Sequence, residues 1–350
     1  MQKPRRTRQG PSYPVELGLD VVMAAAWLYY HDGLNQSDVA EIVGVSRASI
    51  VNYLQEARDR GIVRVALSPE SDAPIDLAYK LKQRFDLAGC LVIPDDRGRT
   101  DPSWRIGAAG ARVLGAMLEP GDVVGVAWGR TVLALSQTIP EVAAMPNVSV
   151  VQIVGSMLAT YELSPELCTS NIASRIGARC VNLHAPALIS SPHVRELLLR
   201  EPAIVAQLQL IHACTRVVFS VAGIDAGSTI LHTGLVSERE IAAYARRSAV
   251  GVIAARFIDA SGAPVEGDLD LRLIGIDLAD LRRIPERLCV AGGPKKIAVL
   301  RAALVGGYVT TLVTDEPSAR ALMRDDSEPT VRRPRARKAA LGQKRSARGK

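Results

Sequence analysis

The sequence lacks the residue spacings that mark common metal sites and catalytic centres. Its five cysteines are dispersed without a C-x-x-C pair, and its five histidines form no H-E-x-x-H or similar ligand pattern. No G-x-G-x-x-G, G-x-x-x-x-G-K-[ST] or G-x-S-x-G motif occurs. We therefore expect no metal site and no cofactor. The spacing of Glu166, His184 and Asp225 does not indicate a general acid–base pair either.

Long apolar runs are missing as well. VVMAAAWLYY has ten residues, whereas a membrane span needs about 18 or more. The N-terminal stretch MQKPRRTRQGPSYP is basic, but no apolar segment with a small-residue cleavage site follows it. An odd, scattered set of cysteines fits buried, reduced thiols. We therefore expect a cytoplasmic protein with no membrane partner.

Positive charge is concentrated at the two ends of the chain. The formal net charge is +7, but residues 1–10 carry four Lys/Arg and residues 331–350 carry nine, with no acid in either stretch. The intervening residues 11–330 hold 30 basic and 36 acidic side chains, a net of −6. We predict disordered basic tails at 1–14 and 326–350. Attraction to nucleic-acid phosphates and a purely solubilising role both remain open for the C-terminal tail.

Residues 36–57, QSDVAEIVGVSRASIVNYLQEA, have the pattern of two short helices joined by a tight turn. Asn35 is a cap for the first helix, Gly44 suits the residue that leaves it, and Ser46 is a cap for the second. Apolar residues of the second helix recur at i, i+3, i+4 and i+7, which gives it one buried face. Such a unit places a helix in the DNA major groove, although a plain helical hairpin has the same local pattern.

The segments on either side extend this unit to a domain at 15–67. Residues 15–31 form a predicted supporting helix, and Ile62–Leu67 is a β-branched stretch where a winged variant places a strand. Residues 68–75, which contain two prolines and two acids, are predicted to be a linker.

Residues 76–325 alternate between β-branched runs and helical patterns. GCLVIP, GDVVGVAW, VSVVQIVG, TRVVFSVAGI, VGVIAARFID, LRLIGID, RLCVAGG and YVTTLVT have strand character. Continuous apolar strands separated by helices indicate a mostly parallel, doubly wound sheet covered on both faces.

Ligands bind such sheets beyond the carboxyl ends of the strands, so polar residues there are candidate site residues. Gly129, Arg130 and Thr131 open a helix after one strand and suit an anion. Lys296 lies in the first turn after Gly292-Gly293, and Asp259 ends another strand, where a carboxylate accepts sugar hydroxyls. Each also has a structural explanation, as a turn residue or a surface charge.

Several longer strings then match one family. They are WLYYHDGLNQSDVAEIVGVSRASIVNYLQEARDRGIVRVAL, WGRT, VQIVG, LHAPAL, GLVSEREI, FIDASGAPV and IPERLCVAGGPKKIAVLRAALVGGYVTTLVTDEPSARALM. On these strings, residues of about 15–325 resemble the SorC-type bacterial transcriptional regulators, also called sugar-binding-domain regulators. The resemblance implies a helix-turn-helix joined to an effector domain similar to phosphosugar isomerases, in a protein that acts as a dimer or tetramer.

The resemblance also implies roles for particular residues. Gly129, Arg130 and Thr131 match the loop that holds an effector phosphate, Lys296 matches a pocket lysine, and Asp259 matches a strand-end acid. One departure is Asp225 in AGID, which puts a carboxylate where the family has glycine. Because that charge disfavours a dianion, a sugar, a polyol and a sugar phosphate all stay open as the effector.

For the DNA-binding unit, the resemblance covers the start of the second helix. We expect Arg47 and Asn52 to contact base edges, because Arg reads guanine and Asn reads adenine with two hydrogen bonds. We expect Ser46, Ser49 and Gln36 to contact phosphates.

The sequence thus predicts a non-enzymatic regulator of carbohydrate metabolism whose operator binding depends on a sugar-class effector. The alternative is a phosphosugar isomerase-like enzyme with an accessory DNA-binding module.

Overall fold

The computed structural model describes residues 20–63, 69–96, 101–141, 146–157, 164–225 and 228–324. The chain divides into two compact units, Met1–Ser68 and Pro69–Lys350. The predicted basic tails, 1–14 and 326–350, lie outside the described residues.

The first unit is a small helical module. Asp20 caps helix α1 by accepting a hydrogen bond from the Val22 N–H (3.1 Å). The chain then continues through a π-helical turn, so the predicted helix over 15–31 is present from residue 21 onward. The module consists of α1 (Val21–Ala26), the π turn (Trp27–His31), α2 (Gln36–Val43) and α3 (Arg47–Asp59).

The predicted wing is not seen in the described part of this unit. Ile62 and Val63 do not form a strand; instead they pack against the cluster of Val22, Ala26 and Ala57. The Val63 N–H donates to the Ala57 carbonyl (3.1 Å), which folds the chain back on the end of α3. Residues 64–67 lie outside the described residues.

The second unit begins earlier than the sequence suggested. Helix α4 spans Pro69–Arg84 and includes residues 69–75, which we assigned to a linker. Pro69 is the first residue of the helix, where the missing N–H of proline has no cost. Pro74 lies inside the helix and removes one hydrogen bond there. Proline pairs are therefore a poor guide to a domain boundary here.

A seven-stranded sheet forms the centre of this unit, and every pairing in it is parallel. Apolar clusters cover both faces of the sheet. For example, the adjacent residues Val150 and Val151 belong to different clusters. The predicted doubly wound sheet is confirmed. Its spatial order is β1 (Gly89–Ile93), β10 (Thr311–Asp315), β9 (Glu286–Val290), β5 (Arg216–Phe219), β2 (Val123–Val126), β3 (Ser149–Gln152) and β4 (Arg179–Val181).

Helices flank this sheet along its length. Gly107 lets two of them approach closely, because a Cβ there would lie 2.6 Å from the Ala134 Cβ. The helices are α5 (Pro102–Met117), α6 (Arg130–Thr138), α7 (Pro165–Arg175), α8 (Pro192–Leu198), α9 (Pro202–His212), α10 (Thr229–His232), α11 (Glu238–Ala245), α12 (Leu278–Arg283), α13 (Ile297–Val305) and α14 (Glu316–Arg324).

Three predicted strands of the main sheet have a different structure. TRVVFSVAGI divides into β5 and β6 (Val221–Ala222), and VGVIAARFID divides into β7 (Ala249–Ile253) and β8 (Arg256–Asp259). Strands β6, β7 and β8 form a separate antiparallel sheet. LRLIGID forms isolated bridges at Leu273 and Gly275 instead of a strand. Apolar content alone did not distinguish these arrangements.

The β7–β8 hairpin turns through two alanines. Ala254 (φ 48°) and Ala255 (φ 67°) both have left-handed backbones, as a two-residue type I′ turn requires. Glycine or asparagine is usual at such positions, because a Cβ in this conformation costs roughly 1–2 kcal/mol. The hairpin therefore stores strain at its tip.

We expect Ala255→Gly to raise the free energy of unfolding by roughly 1 kcal/mol, since glycine relieves this strain. Denaturant titration measures the change. Ala242→Gly is the matched control, because Ala242 is exposed within α11 and the same substitution there should destabilise by about 1 kcal/mol. A change of the same sign in the free energy of unfolding of both variants would contradict the strain assigned to Ala255.

Candidate functional site

Helices α2 and α3 are joined by a short turn and held by a small apolar core. Ala25 and Leu28 from the first helical segment pack on Val39 and Ala40 of α2 and on Ile50 and Leu54 of α3. Asn35 caps α2 through hydrogen bonds from the Ser37 and Asp38 N–H groups. Gly44 ends α2 with a left-handed backbone (φ 76°), as predicted.

The exposed face of α3 carries the residues predicted to contact DNA. Arg47 and Asn52 are both exposed. The Arg47 Nε donates to the Gln36 Oε1 at 3.4 Å, so the first residues of α2 and α3 lie beside each other. Ser46 caps α3 through a bond from the Ser49 N–H (3.1 Å), and the two serine hydroxyls lie 2.9 Å apart. The five predicted residues thus form one continuous surface.

A cleft of the second unit lies where the strand order reverses. From β2 the chain proceeds outward through β3 and β4, whereas from β5 it proceeds the other way through β9 and β10. Open sheets of this kind bind ligands at such a switch point. Strands β9, β5 and β2 are neighbours, and the cleft is lined by residues that follow each of them, by one residue of α10 and by the β7–β8 hairpin. The lining residues are Ala127, Trp128, Gly129, Arg130, Ser220, Val221, Ala222, Ile230, Val252, Ala254, Ala255 and Lys296.

Two cations converge on this mainly apolar cleft. Arg130 is the first residue of α6, and Gly129 precedes it with a φ of 124° that favours glycine. Lys296 lies at the end of a short 3₁₀ turn, Pro294–Lys296, and its Nζ donates to the Ser220 Oγ at 3.4 Å. Free N–H groups at the start of α6 add to this positive end. The arrangement suits an anionic group.

Burial lowers the pKa of Lys296 to about 8, and the positive charge of Arg130 acts in the same direction. The lysine is therefore held in a site that disfavours its own charge. A bound anion would restore the stability of that charge, so the site gains from an anionic ligand.

Thr131, Asp225 and Asp259 are not among the residues that line the cleft. Thr131 is 1% exposed, and its Oγ1 makes no hydrogen bond with any residue the structure describes. Asp225 is exposed, and its Oδ1 lies 3.5 Å from the Lys295 Nζ. Asp225 therefore pairs with Lys295 outside the cleft. It does not line the cleft with the negative charge that we expected to disfavour a dianionic ligand.

Asp259 forms a turn instead. Its Oδ1 accepts hydrogen bonds from the Ser261 N–H, the Ser261 hydroxyl and the Ala263 N–H, all within 2.9 Å. Burial alone would raise its pKa, but these bonds hold the pKa below its ordinary value. Our expectation that Asp259 ends a strand of the main sheet was wrong, because β8 belongs to the antiparallel sheet. Asp259 thus acts as a turn residue, the alternative that the sequence left open beside binding of sugar hydroxyls.

Three features of the cleft escaped the sequence interpretation. Ser220 follows β5 directly, so the strand-end rule identifies it once β5 ends at Phe219. Trp128 belongs to the WGRT string, from which we predicted Gly129, Arg130 and Thr131 as site residues but not the tryptophan itself. The strained tip, Ala254 and Ala255, has no turn signature, and only the backbone reveals it.

Among the described residues, no group of three or more His, Cys, Asp or Glu side chains is placed to hold a metal ion. The described helices include none with the length and apolar character to cross a bilayer.

Comparisons with known proteins add independent findings. Residues 70–324 match the family model for the sugar-binding domain. The transcriptional regulator YjhU of Escherichia coli (strain K12) is 37% identical over 310 residues, which cover 87% of this chain and 94% of that protein. The transcriptional regulator LsrR of Klebsiella pneumoniae subsp. pneumoniae is 32% identical over 311 residues, covering 87% and 93%.

A solved structure spans both units. The full-length sorbitol operon regulator SorC from Klebsiella pneumoniae aligns with a TM-score of 0.68 and 26% identity, over 87% of this chain and 98% of that one.

We expect Lys296→Met to stabilise the unliganded protein at pH 7 by up to about 3 kcal/mol, because it removes a charge that the site disfavours. The lowered pKa means that the folded chain binds fewer protons than the unfolded chain between pH 8 and 10.5. The charge on Lys296 therefore destabilises the wild type less as pH rises across this window, so the stability difference between the variant and the wild type should shrink from pH 7 to pH 10. Lys295→Met, at an exposed neighbour, is the control and should show neither effect; denaturant titrations at pH 7 and 10 measure both.

Affinity of the cleft for an anion should fall as pH rises through about 8, since Lys296 loses its charge there. Calorimetric titration of glucose 6-phosphate at pH 7, 8 and 9 tests this with a defined probe. At pH 8 the binding should also take up protons, visible as a heat that depends on the buffer. Binding that is measurable yet independent of pH over this range contradicts the role given to Lys296.

Proposed function

This chain belongs to the SorC-type family of transcriptional regulators with a sugar-binding domain, and we propose that α3 reads its operator while the cleft above β9, β5 and β2 binds an anionic sugar effector. The regulator is a sugar-responsive DNA-binding protein. The observation that carries the finer proposal is the convergence of Arg130, Lys296 and the start of α6 at the switch point.

The charge of the cleft favours a sugar phosphate among the three effector classes. Lys296 and Arg130 are the charged side chains among the described residues that line it, and both are cationic. Asp225, which argued for an uncharged ligand, faces Lys295 instead. A sugar acid satisfies the same charges, whereas a neutral polyol leaves the charge of the half-buried Lys296 uncompensated.

The size of the cleft suggests how effector binding is coupled to DNA. The cavity has a volume of about 30 Å³, and a single water needs about 10–15 Å³ by this measure. A sugar phosphate therefore has to separate the walls, which include the hairpin tip at Ala254 and Ala255. A ligand that binds only the open state of the cleft raises the population of that state. If the open and closed states differ in operator affinity, the ligand changes operator affinity as well.

We propose that the protein acts as a dimer or tetramer in the cytoplasm. Helix-turn-helix proteins read paired half-sites about one DNA turn apart, and the symmetry of the operator mirrors that of the protein. A dimer would present two copies of α3 in that way.

The enzyme alternative has no supporting observation. Isomerisation of a phosphosugar needs a base poised at the sugar carbon, and the described lining residues include neither a carboxylate nor an imidazole. Incubation of the protein with pentose and hexose phosphates should give no turnover. Isomerisation of a sugar phosphate by the wild type, lost in Lys296→Met, would instead support the enzyme hypothesis.

Arg47→Ala with Asn52→Ala should reduce affinity for an operator duplex roughly 10²- to 10⁴-fold, because each two-bond contact to a base contributes about 1–3 kcal/mol. Fluorescence anisotropy measures this on a duplex that the wild-type protein enriches from a random pool. The matched control removes the same chemical groups from the other unit, with Arg112→Ala and Gln137→Ala, both at exposed positions. Unchanged operator binding in the first variant, with its circular dichroism intact, contradicts the role assigned to α3.

A further inference from the structure

Helices α8 and α9 bury little of their apolar surface against their own chain. None of the seven residues of α8 is buried, and of the eleven in α9 only Ile204 and Ile211 are. Helix α13, which is also rich in apolar residues, has five of its nine residues buried. The stretch 191–213, which contains α8 and α9, has twelve apolar residues, and ten of them keep contact with solvent. The stretch is therefore more apolar than its position in a single chain explains.

Three large apolar side chains in or beside α8 are exposed. Val194 is 39% exposed, Leu197 is 50% exposed and Leu271 is 59% exposed. Val194 and Leu197 are three positions apart on α8, so they share one face of the helix. The Arg195 Nε donates to the Leu273 carbonyl at 2.6 Å, which holds α8 beside the segment that contains Leu271. Exposed apolar side chains grouped in this way mark interaction sites.

The charges around these side chains indicate the kind of partner. The stretch 191–213 carries two arginines and two glutamates, so its net charge is zero with the histidines neutral. DNA and anionic membranes attract surfaces with an excess of cations, which this stretch lacks. Glu196 and Arg200 form an ion pair one helical turn apart, and both side chains are exposed. A surface that carries both signs in equal number is complementary to a second copy of itself.

The stretch also has the size of an interface between subunits. All but two of its 23 residues keep contact with solvent, and a standard interface takes about 20–30 residues from each partner. Interfaces between identical chains are more apolar than other protein surfaces, as this stretch is.

We propose that the α8–α9 surface, residues 191–213 with Leu271, binds the same surface of a second copy of this chain about a two-fold axis. The inference rests on the proposed dimer or tetramer and names the surface that forms it. An axis that crosses α8 near Leu197 makes the two copies of this helix antiparallel. Leu197 of both copies then lies at the centre, and Glu196 of each copy lies beside Arg200 of the other.

Leu197→Asp tests the apolar centre of this interface. Because the two-fold axis repeats the substitution in both copies, association should weaken on the order of 10²- to 10³-fold. Sedimentation velocity of the full-length chain, measured as the protein is diluted, gives the association constant, and circular dichroism checks folding. Ile75→Asp is the matched control, since Ile75 is 61% exposed on α4, and it should leave association unchanged.

Glu196→Arg and Arg200→Glu test the antiparallel pairing. The first variant has two cations at these positions and the second has two anions, so each should repel its own copy and associate roughly tenfold more weakly than the wild type. An equal mixture of the two variants should form mixed oligomers with nearly wild-type affinity, because opposite charges then face each other. Energy transfer between differently labelled chains measures this recovery. Loss of the ion pair within one chain does not produce it, since neither chain regains that pair on mixing.

Failure of this inference and failure of the proposed oligomer give different results. A wild-type chain that sediments as a monomer contradicts the proposed oligomer, and the inference with it. An oligomeric wild type whose association is unchanged by Leu197→Asp, or is weakened equally by Ile75→Asp, overturns the α8–α9 surface alone. Mixed oligomers no stronger than those of the separate charge variants overturn the pairing of Glu196 with Arg200.

Discussion

The reversal of strand order between β2 and β5 is the constraint on which the proposed effector site depends. Crossover helices of parallel strands leave in opposite directions there, so a gap opens above the carboxyl ends. Into this gap the fold directs the start of α6, the end of β5 and the turn after β9. No two of these segments are close in sequence, yet they bring Arg130, Ser220 and Lys296 to one cleft.

A half-buried lysine in that cleft links the proposed function to a cost in stability. The site lowers the pKa of Lys296 to about 8, which means that the unliganded fold carries an electrostatic cost. The left-handed alanines at 254 and 255, on the wall of the same cleft, carry a conformational cost. Both costs therefore lie in the cleft where we propose that the effector binds, as expected when a site is shaped for its occupant instead of for the empty state.

Local sequence signals predicted the parts of the structure that depend on local chemistry. Asn35, Gly44 and Ser46 mark helix ends through their own backbones, and Gly129 marks a strand-to-helix turn. Lys296 was found because it follows a strand closely. Asp259 and Asp225 were misplaced relative to the cleft, because their positions depend on β8 leaving the main sheet and on the pairing with Lys295. Such choices are decided by distant partners, which neither periodicity nor motif spacing contains.

We propose that the first unit reads DNA through α3 and that the second binds a small anion between Arg130 and Lys296. The central claim is that the second site controls the first. Operator affinity measured with and without a saturating sugar phosphate, chosen for the largest rise in Tm, tests it in wild type and in Lys296→Met. The account predicts that the ligand changes operator affinity at least fivefold in the wild type, in line with coupling of about 1 kcal/mol or more, and not in the variant. A ligand that binds the wild type tightly and leaves operator affinity unchanged contradicts it.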